Sequence, residues 1–416
     1  MASFHNYNFR LYWFGQLISQ AGTWMQTVAQ AWLVLQITGS PFALGTVSAL
    51  QFLPVLCVSL FAGVVVDRVP KHRLLLATQS TALVQASIMA ALTASGRIQL
   101  WHIYVLAVVL GVVNAFDQPT RQSFVMELVG RDNVVNAVAL NSAQFNLARL
   151  VGPALGGILI AAWGVAICFT INAASFVAVL ISLVLLRPAE FHSSPAKRSG
   201  KRVLAEIGDG IRFLLGSPRL MVVVIVVAGI GCFGYNLNTV IPLLAEFSLH
   251  AGASGFGLLV TAVGVGSLIA ALGVATRRDL PERTVLVGGA AFGAIYLTVA
   301  FVPWFAVAMV LLALLGFASL TFSSASNSTL QLGSPDYLRG RVMSVYTLLV
   351  MGSTPIGSLI TGWLAETAGI RTTVAVEAGV CLLAVLAAII YRARSGQAGR
   401  AAAPEGTLAP VSVHAR

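Results

Sequence analysis

Long stretches without a charged side chain recur along this chain, and each is about the length that crosses a lipid bilayer. Leu220 to Ala245 is one of them. A helix needs roughly 20 apolar residues to span the hydrocarbon. Of the 416 residues, 57% are hydrophobic and 9% are charged, and the mean hydropathy is +0.87. A soluble domain carries about 25% charged residues, so this chain cannot clothe a water-facing surface of matching size. Lipid must be the solvent for most of it. The runs lack the alternation of apolar and polar residues that marks a membrane barrel. Helices, which pair their backbone groups internally, are therefore the expected element. Twelve spans are predicted, near 11–36, 43–66, 74–95, 101–118, 138–162, 165–186, 220–246, 255–276, 284–302, 304–329, 342–364 and 370–391.

The charge distribution orients these spans. Of 25 Lys and Arg residues, all but three fall in segments on one face; Arg97 and Arg371 lie on the other, and Arg149 lies within a span. Basic loops stay cytoplasmic, so both termini are expected in the cytoplasm. The net charge of +11 then reflects topology and implies no nucleic-acid partner. The four cysteines sit singly inside apolar runs, without CxxC pairs or metal-ligand spacing. The first span, long and rich in Gln, reads as part of the mature protein and not as a cleaved leader.

The longest polar stretch divides the chain. The expected organisation is a bundle of six helices over 1–186, a cytoplasmic linker over 187–219, a second such bundle over 220–392, and a disordered cytoplasmic tail over 393–416. Within the linker, Val203, Leu204, Ile207, Ile211, Leu214 and Leu215 share a helical face, as in an interfacial helix. The halves echo each other. Phe9-Arg10-Leu11 matches Pro218-Arg219-Leu220, while Gly63, Arg68 and Arg73 match Gly273, Arg278 and Arg283. Parallel repeats of this kind enclose a substrate site near the membrane midplane.

The loop after the second span reads GVVVDRVPKHR, with Gly63, Asp67, Arg68, Lys71 and Arg73 at the positions of a Gly, an Asp-Arg pair and a basic cluster. It resembles the signature loop of the major facilitator superfamily, except that Pro70 replaces the usual Gly and Lys71 a frequent Arg. The resemblance implies that Asp67 faces the start of the eleventh span, where a helix dipole favours its charge. It also implies that the basic residues reach a carboxylate at the end of the fourth span, for which Asp117 is the candidate. Together these form a cytoplasmic gate; the plainer reading is a basic loop that only sets topology. The fifth span carries Gly152-Pro153 and Gly156-Gly157, similar to the antiporter motif of exporting branches. Small residues there also suit ordinary close packing of helices. The stretch from Ala115 to Gly157, with NFRLYWFGQ near the start and EIGDGIRFL in the linker, resembles the branch that includes the bacterial enterobactin exporter and related secretion and drug-efflux transporters. The fourth span lacks the Arg that many superfamily members carry: Leu106 to Asp117 has none.

Polar residues inside the spans mark the expected cavity. Gln16, Gln20, Thr23, Thr27 and Gln30 form a stripe on one face of the first span, with Ser19 and Gln26 on the same side. Amides are costly against hydrocarbon, so the stripe faces a wet cavity or other helices. Asn114, Tyr235, Asn238, Ser319 and Ser323 join the cavity from other spans. Arg149 is a cation at mid-depth, where an ionisable residue is a functional candidate; it binds an anionic cargo, pairs with a carboxylate, or is held by carbonyls or Asn146. Glu377 is a carboxylate within the twelfth span, either a proton site or a snorkelling group.

The expectation is an all-α membrane protein of twelve helices in two pseudo-symmetric six-helix bundles, placed in the bacterial inner membrane. Its expected activity is export of a small organic molecule in exchange for protons, by a monomer without a cofactor or metal. An uptake symporter or uniporter on the same scaffold is the alternative, and a membrane sensor a more distant one. No GxxxxGK[ST] loop or HExxH motif occurs, so neither ATP-driven nor zinc-enzyme chemistry is indicated.

Overall fold

The computed structural model describes residues 2–130, 133–192, 203–275 and 283–401. The described chain is helical and contains no strand. Its long helices are α1 (Tyr7–Thr38), α2 (Pro41–Arg68), α3 (Lys71–Ala94), α4 (Leu100–Val129), α5 (Val134–Trp163) and α6 (Val165–Val184). A shorter α7 (Val203–Leu215) is followed by α8 (Pro218–Ser248), α9 (Gly252–Ala275), α10 (Arg283–Phe301), α11 (Phe305–Leu332), α12 (Asp336–Ala368) and α13 (Ile370–Ala401). Eleven of them are long and apolar enough to cross a membrane. The other two are α7, with 13 residues, and α1, which has 32 but whose glutamines and threonines lower its hydropathy. Large apolar side chains such as Trp101, Val105, Ile158, Ile181, Val287 and Leu383 are exposed, as lipid-facing surfaces require.

Local sequence accounts for the ends. Asn6 caps α1 by accepting from the Phe9 amide, and Ser40 caps α2 ahead of Pro41. The α5–α6 and α12–α13 hairpins each turn on one glycine, Gly164 with φ 79° and Gly369 with φ 81°, a region that favours glycine. α8 and α12 are not regular throughout. Wide π turns interrupt α8 at Ile230–Gly234 and Leu244–Ser248, and α12 at Leu348–Gly352. Two of these turns touch: a Cβ on Gly231 would lie 2.5 Å from the Leu349 carbonyl oxygen.

Helix pairing repeats. In the first half α6 packs on α1 and α3, and α4 on α2 and α3; in the second, α13 packs on α8 and α10, and α11 on α9 and α10. Two seams join the halves, α2 against α12 and α5 against α9. Both close tightly on the face opposite the chain termini. Gly45 meets Ser358 and Gly362 there, and Gly157 meets Gly257. Ser40 and the Phe42 amide bond Glu366, and Trp32 stacks on Phe256 with ring centroids 6.2 Å apart.

Several boundaries differ from expectation. The fourth span runs on to Val129, well past 118, because Phe124, Val125 and Leu128 of its polar-looking extension are buried against Phe9, Tyr12 and Leu75. α13 continues to Ala401, beyond the expected start of a tail at 393, while 402–416 lie outside the described residues. So does the basic stretch 193–202. α7 docks on α12 through Gly210, set against the Arg341 backbone, and through buried Leu214. Ile211 and Leu215 of its apolar face stay exposed.

Candidate functional site

The site is built where α1, α5, α8, α11 and α12 converge between the halves. Gly152 lets α5 approach α1 closely: a Cβ there would lie 2.6 Å from the Ala21 carbonyl oxygen and from Trp24 Cβ. That contact sets Arg149, one turn earlier, over the Trp24 ring, with Cζ 5.6 Å from its centroid. Trp24 in turn meets Phe145 edge-on at 5.8 Å. From the second half, Tyr235 follows the first π turn of α8. Its hydroxyl sits among Arg149, Ser319, Ser323 and Tyr346, buried and without hydrogen-bond geometry to any of them. The Ser323 and Tyr346 hydroxyls are 3.2 Å apart.

Among the described residues Arg149 has no carboxylate partner and no bond to a backbone carbonyl. Asn146 is turned to its own helix, donating to the Ser142 carbonyl at 2.8 Å. A guanidinium held against a tryptophan face, beside an unpartnered phenol and two serines, presents donors to an incoming acceptor group. The rings around it offer an apolar wall.

The expected stripe on α1 divides. Gln20, Thr23 and Thr27 are half-buried, and both threonines donate to carbonyls of their own helix. Thr27 and Gln30 line a small cavity with Ser48, Gln51, Phe52 and Asn238, toward the face opposite the termini. Gln16 and Ser19 are buried with unpartnered polar atoms. Gln26 belongs to a separate buried network. It donates to Gln85 of α3 at 3.1 Å and accepts from Asn172 of α6 at 2.7 Å. Sequence reading grouped Gln26 with the cavity because a stripe fixes the side of a helix, and not what lies against it. Asn114 is half-buried on α4.

At the termini face the expected partner of the basic cluster is corrected. Lys71 bonds Glu127 at 2.6 Å, and Asp117 does not take part. Asp117 instead pairs with Arg121 and accepts from Thr78 and Gln79 at 2.8 and 2.7 Å. With α4 ending at Val129, Glu127 stands at the helix end where Asp117 was expected. Arg68 and Arg73 are exposed, while the surroundings of Gly63 and Asp67 lie outside the described residues. A second ionic tie on this face, Arg341 to Asp209 at 2.8 Å, joins α12 to α7.

The Gly-Pro and Gly-Gly motif of α5 is all close contact. Gly152 and Gly156 rest on α1 around Ala21, Trp24 and Met25, whereas Gly157 and the Pro153 carbonyl meet Gly257 of α9. Glu377 does not snorkel and, among the described residues, forms no ion pair. It is 1% exposed, accepts from the Tyr296 hydroxyl of α10 at 2.6 Å, and bonds the Thr361 hydroxyl of α12.

Long apolar helices in two similarly paired sets, with a partly polar region between them, are an arrangement that suits a membrane transporter. A family model described as transmembrane secretion effector matches residues 1–412, and the chain belongs to that family of the major facilitator superfamily. It is 28% identical to the multidrug efflux pump Tap of Mycolicibacterium fortuitum, over 92% of this chain and 95% of that protein. It is 26% identical to the staphyloferrin A transporter of Staphylococcus aureus, over 85% and 88% of the two chains. The enterobactin exporter EntS of Escherichia coli matches at 26% identity over 57% of this chain and 56% of its own. Among solved structures, a peptide transporter, POT, superposes with a TM-score of 0.75 at 12% identity, covering 94% and 95%. The nucleoside transporter NupG superposes at 0.73 and 12%, covering 92% and 99%. At such identities the likeness concerns the fold alone.

Proposed function

We propose that the chain exports a small organic molecule from the cytoplasm in exchange for protons. In this reading all twelve long helices span the bacterial inner membrane, both termini are cytoplasmic, and the bundles 1–186 and 220–392 rock about the site as a monomer. The linker 187–219 lies at the cytoplasmic surface, and the Asp67 loop with Lys71 and Glu127 belongs to the cytoplasmic gate. In this reading the tight seams lie on the outer side and close the site outward. The efflux and siderophore roles of the relatives support the direction. The observation that carries the cargo site is the approach of Arg149 and Trp24 from one half to Tyr235, Ser319 and Ser323 from the other. The cation without a carboxylate favours a cargo with an anionic or strongly accepting group, and the rings favour an organic body.

Metabolite and drug profiling inside and outside deletion and overexpressing cells tests direction and cargo together. Export predicts depletion inside the overexpressing cells; accumulation there would reverse the direction. A protonophore should stop uphill export while ATP stays high, and persistence would remove antiport. Arg149→Gln should weaken apparent affinity by about tenfold or more, as removal of one partner from a buried charged contact does. Arg149→Lys, which keeps the charge without the planar fork, should retain part of the transport. Normal transport by Arg149→Gln would place the cargo elsewhere.

A further inference from the structure

The Glu377 network can be counted proton by proton. The Tyr296 hydroxyl has one hydrogen and gives it to Glu377 Oε2. The Thr361 hydroxyl also has one, yet its oxygen lies within bonding distance of both Glu377 Oε1 and the Gly357 carbonyl, the latter at 2.8 Å. A carbonyl can only accept. Thr361 can therefore give its hydrogen to only one of the two: to the carboxylate when Glu377 is charged, or to Gly357 when a proton on Oε1 lets Glu377 donate to Thr361. With that proton the chain closes without a gap: Tyr296 to Glu377, Glu377 to Thr361, Thr361 to Gly357. Without it, Thr361 must turn its hydrogen from Gly357 to the carboxylate.

The network ends at a sensitive place. Gly357 is pressed against α8: a Cβ there would lie 1.9 Å from the Cys232 carbonyl oxygen and 2.5 Å from Asn236 Nδ2. Asn236 donates to that same carbonyl at 2.7 Å and precedes Tyr235 of the candidate cargo site. On its other side the same stretch of α12 forms the seam with α2, where Gly45 meets Ser358 and Gly362. The titratable groups facing Glu377 are Tyr296 from α10, Cys232 from α8 and Cys381 one turn along α13; α12 offers the neutral Thr361. Charge compensation at this spot is thus left to hydroxyls.

The first half shows that the location does not itself demand an acid. Its first, third and sixth helices carry Gln26, Gln85 and Asn172; the matching helices of the second half carry Cys232, Tyr296 and Glu377. A neutral amide holds the sixth helix in one half, and a carboxyl holds it in the other.

We propose that Glu377 is the proton-binding site of the transporter, protonated in the outward-closed state and coupled through Thr361 and Gly357 to the α8–α12 contact beside the cargo site. The inference rests on the antiport reading. On release the Oε1–H bond breaks, its electron pair stays on the carboxylate, and the proton passes to water admitted by the other state. Thr361 then turns toward the carboxylate, and the α12 turn at Gly357 loses one of its two donors. Proton occupancy thereby biases the packing of α12 on α8 and α2, as a charge placed or removed at a two-state element does.

Infrared spectra of the full chain in lipid nanodiscs read the group directly, with no cargo needed. The wild type should show the carbonyl stretch of a protonated carboxyl. Glu377→Gln should lose it, and Tyr296→Phe should shift it by removing a donor. The glutamine variant is expected to fold, because Asn172 fills the matching place with an amide. Spin labels at 42 and 363, both exposed at the outer ends of α2 and α12, read the coupling. Their distance distribution should respond to pH in the wild type and not in Glu377→Gln. An unchanged carboxyl band in Glu377→Gln overturns the assignment, and an unchanged pH response in that variant overturns the coupling. Antiport stands or falls separately on the protonophore assay with the unmodified protein.

Discussion

The two halves place polar groups in the same three helices and fill those places with different chemistry. In the first half Gln26, Gln85 and Asn172 bond one another, and Ser175 completes the set by bonding Asn172. Each of these groups is neutral at every pH, so the network can only fasten helices. In the second half the same helices meet at a buried carboxyl, whose proton count can change. Repetition of a scaffold therefore supplies a place for a polar contact, and in the proposed coupling one side chain turns the second-half contact from a fastening into a switch. The proposed cargo site divides in a similar way: the first half brings the cation Arg149, and the second brings the hydroxyls that face it.

The largest expected effect tests whether the halves must close on each other symmetrically. Gly157→Leu and Gly257→Leu each insert a side chain where the partner Cα would be 2.9 and 2.8 Å from a Cβ. Overpacking costs about 1–3 kcal/mol, which shifts a two-state equilibrium by about 5- to 150-fold. Both variants should lose most transport and populate states open at the outer seam, as spin-label distances would record. If only one of them does so, the seam is not shared equally.

Next in size is the fastening network. Asn172→Leu leaves the Gln26 carbonyl oxygen without its donor while the Gln26–Gln85 bond stays, and an unsatisfied buried polar group costs about 1–3 kcal/mol. Thermal stability in detergent should fall, while the pH dependence of transport per folded molecule stays as in the wild type. A changed pH dependence would show that the first-half network also takes part in coupling, and the contrast between the halves would fail.

The smallest effect belongs to the ionic ties at the termini face. Lys71–Glu127 is partly exposed, at 19% and 16% side-chain exposure, and Arg341–Asp209 more so, at 25% and 46%. Double-mutant cycles on such pairs give about 0.2–1 kcal/mol. Lys71→Met with Glu127→Gln should show the larger coupling of the two, read as thermal stability in detergent. Equal couplings would leave the first-half tie no special standing in the gate.

Composition and periodicity determined much of this protein. Runs of about 20 apolar residues dictate membrane helices, since only internal pairing satisfies a backbone in lipid. The near-exclusive placement of Lys and Arg in alternate connecting segments gives them an expected orientation. Motif spacing placed Gly152 and Gly157 at close helix contacts, and a lone mid-span Arg drew attention to Arg149. Both readings are local, and local patterns survive without knowledge of neighbours. What the sequence left undecided is pairing. The Gln stripe of α1 looks uniform along one face, yet Gln26 meets Asn172, 146 residues away, while Gln30 faces a cavity. Lys71 found Glu127 and not Asp117 because tertiary burial of Phe124 and Leu128 carries α4 through a polar segment that reads as loop. Glu377 reads in sequence as a proton site or a snorkelling group, and only the packing of α10, α12 and α13 brings Tyr296 and Thr361 to it. A one-dimensional pattern records which face of a helix is polar; which group it bonds is set by the partner that three-dimensional packing brings within about 3 Å.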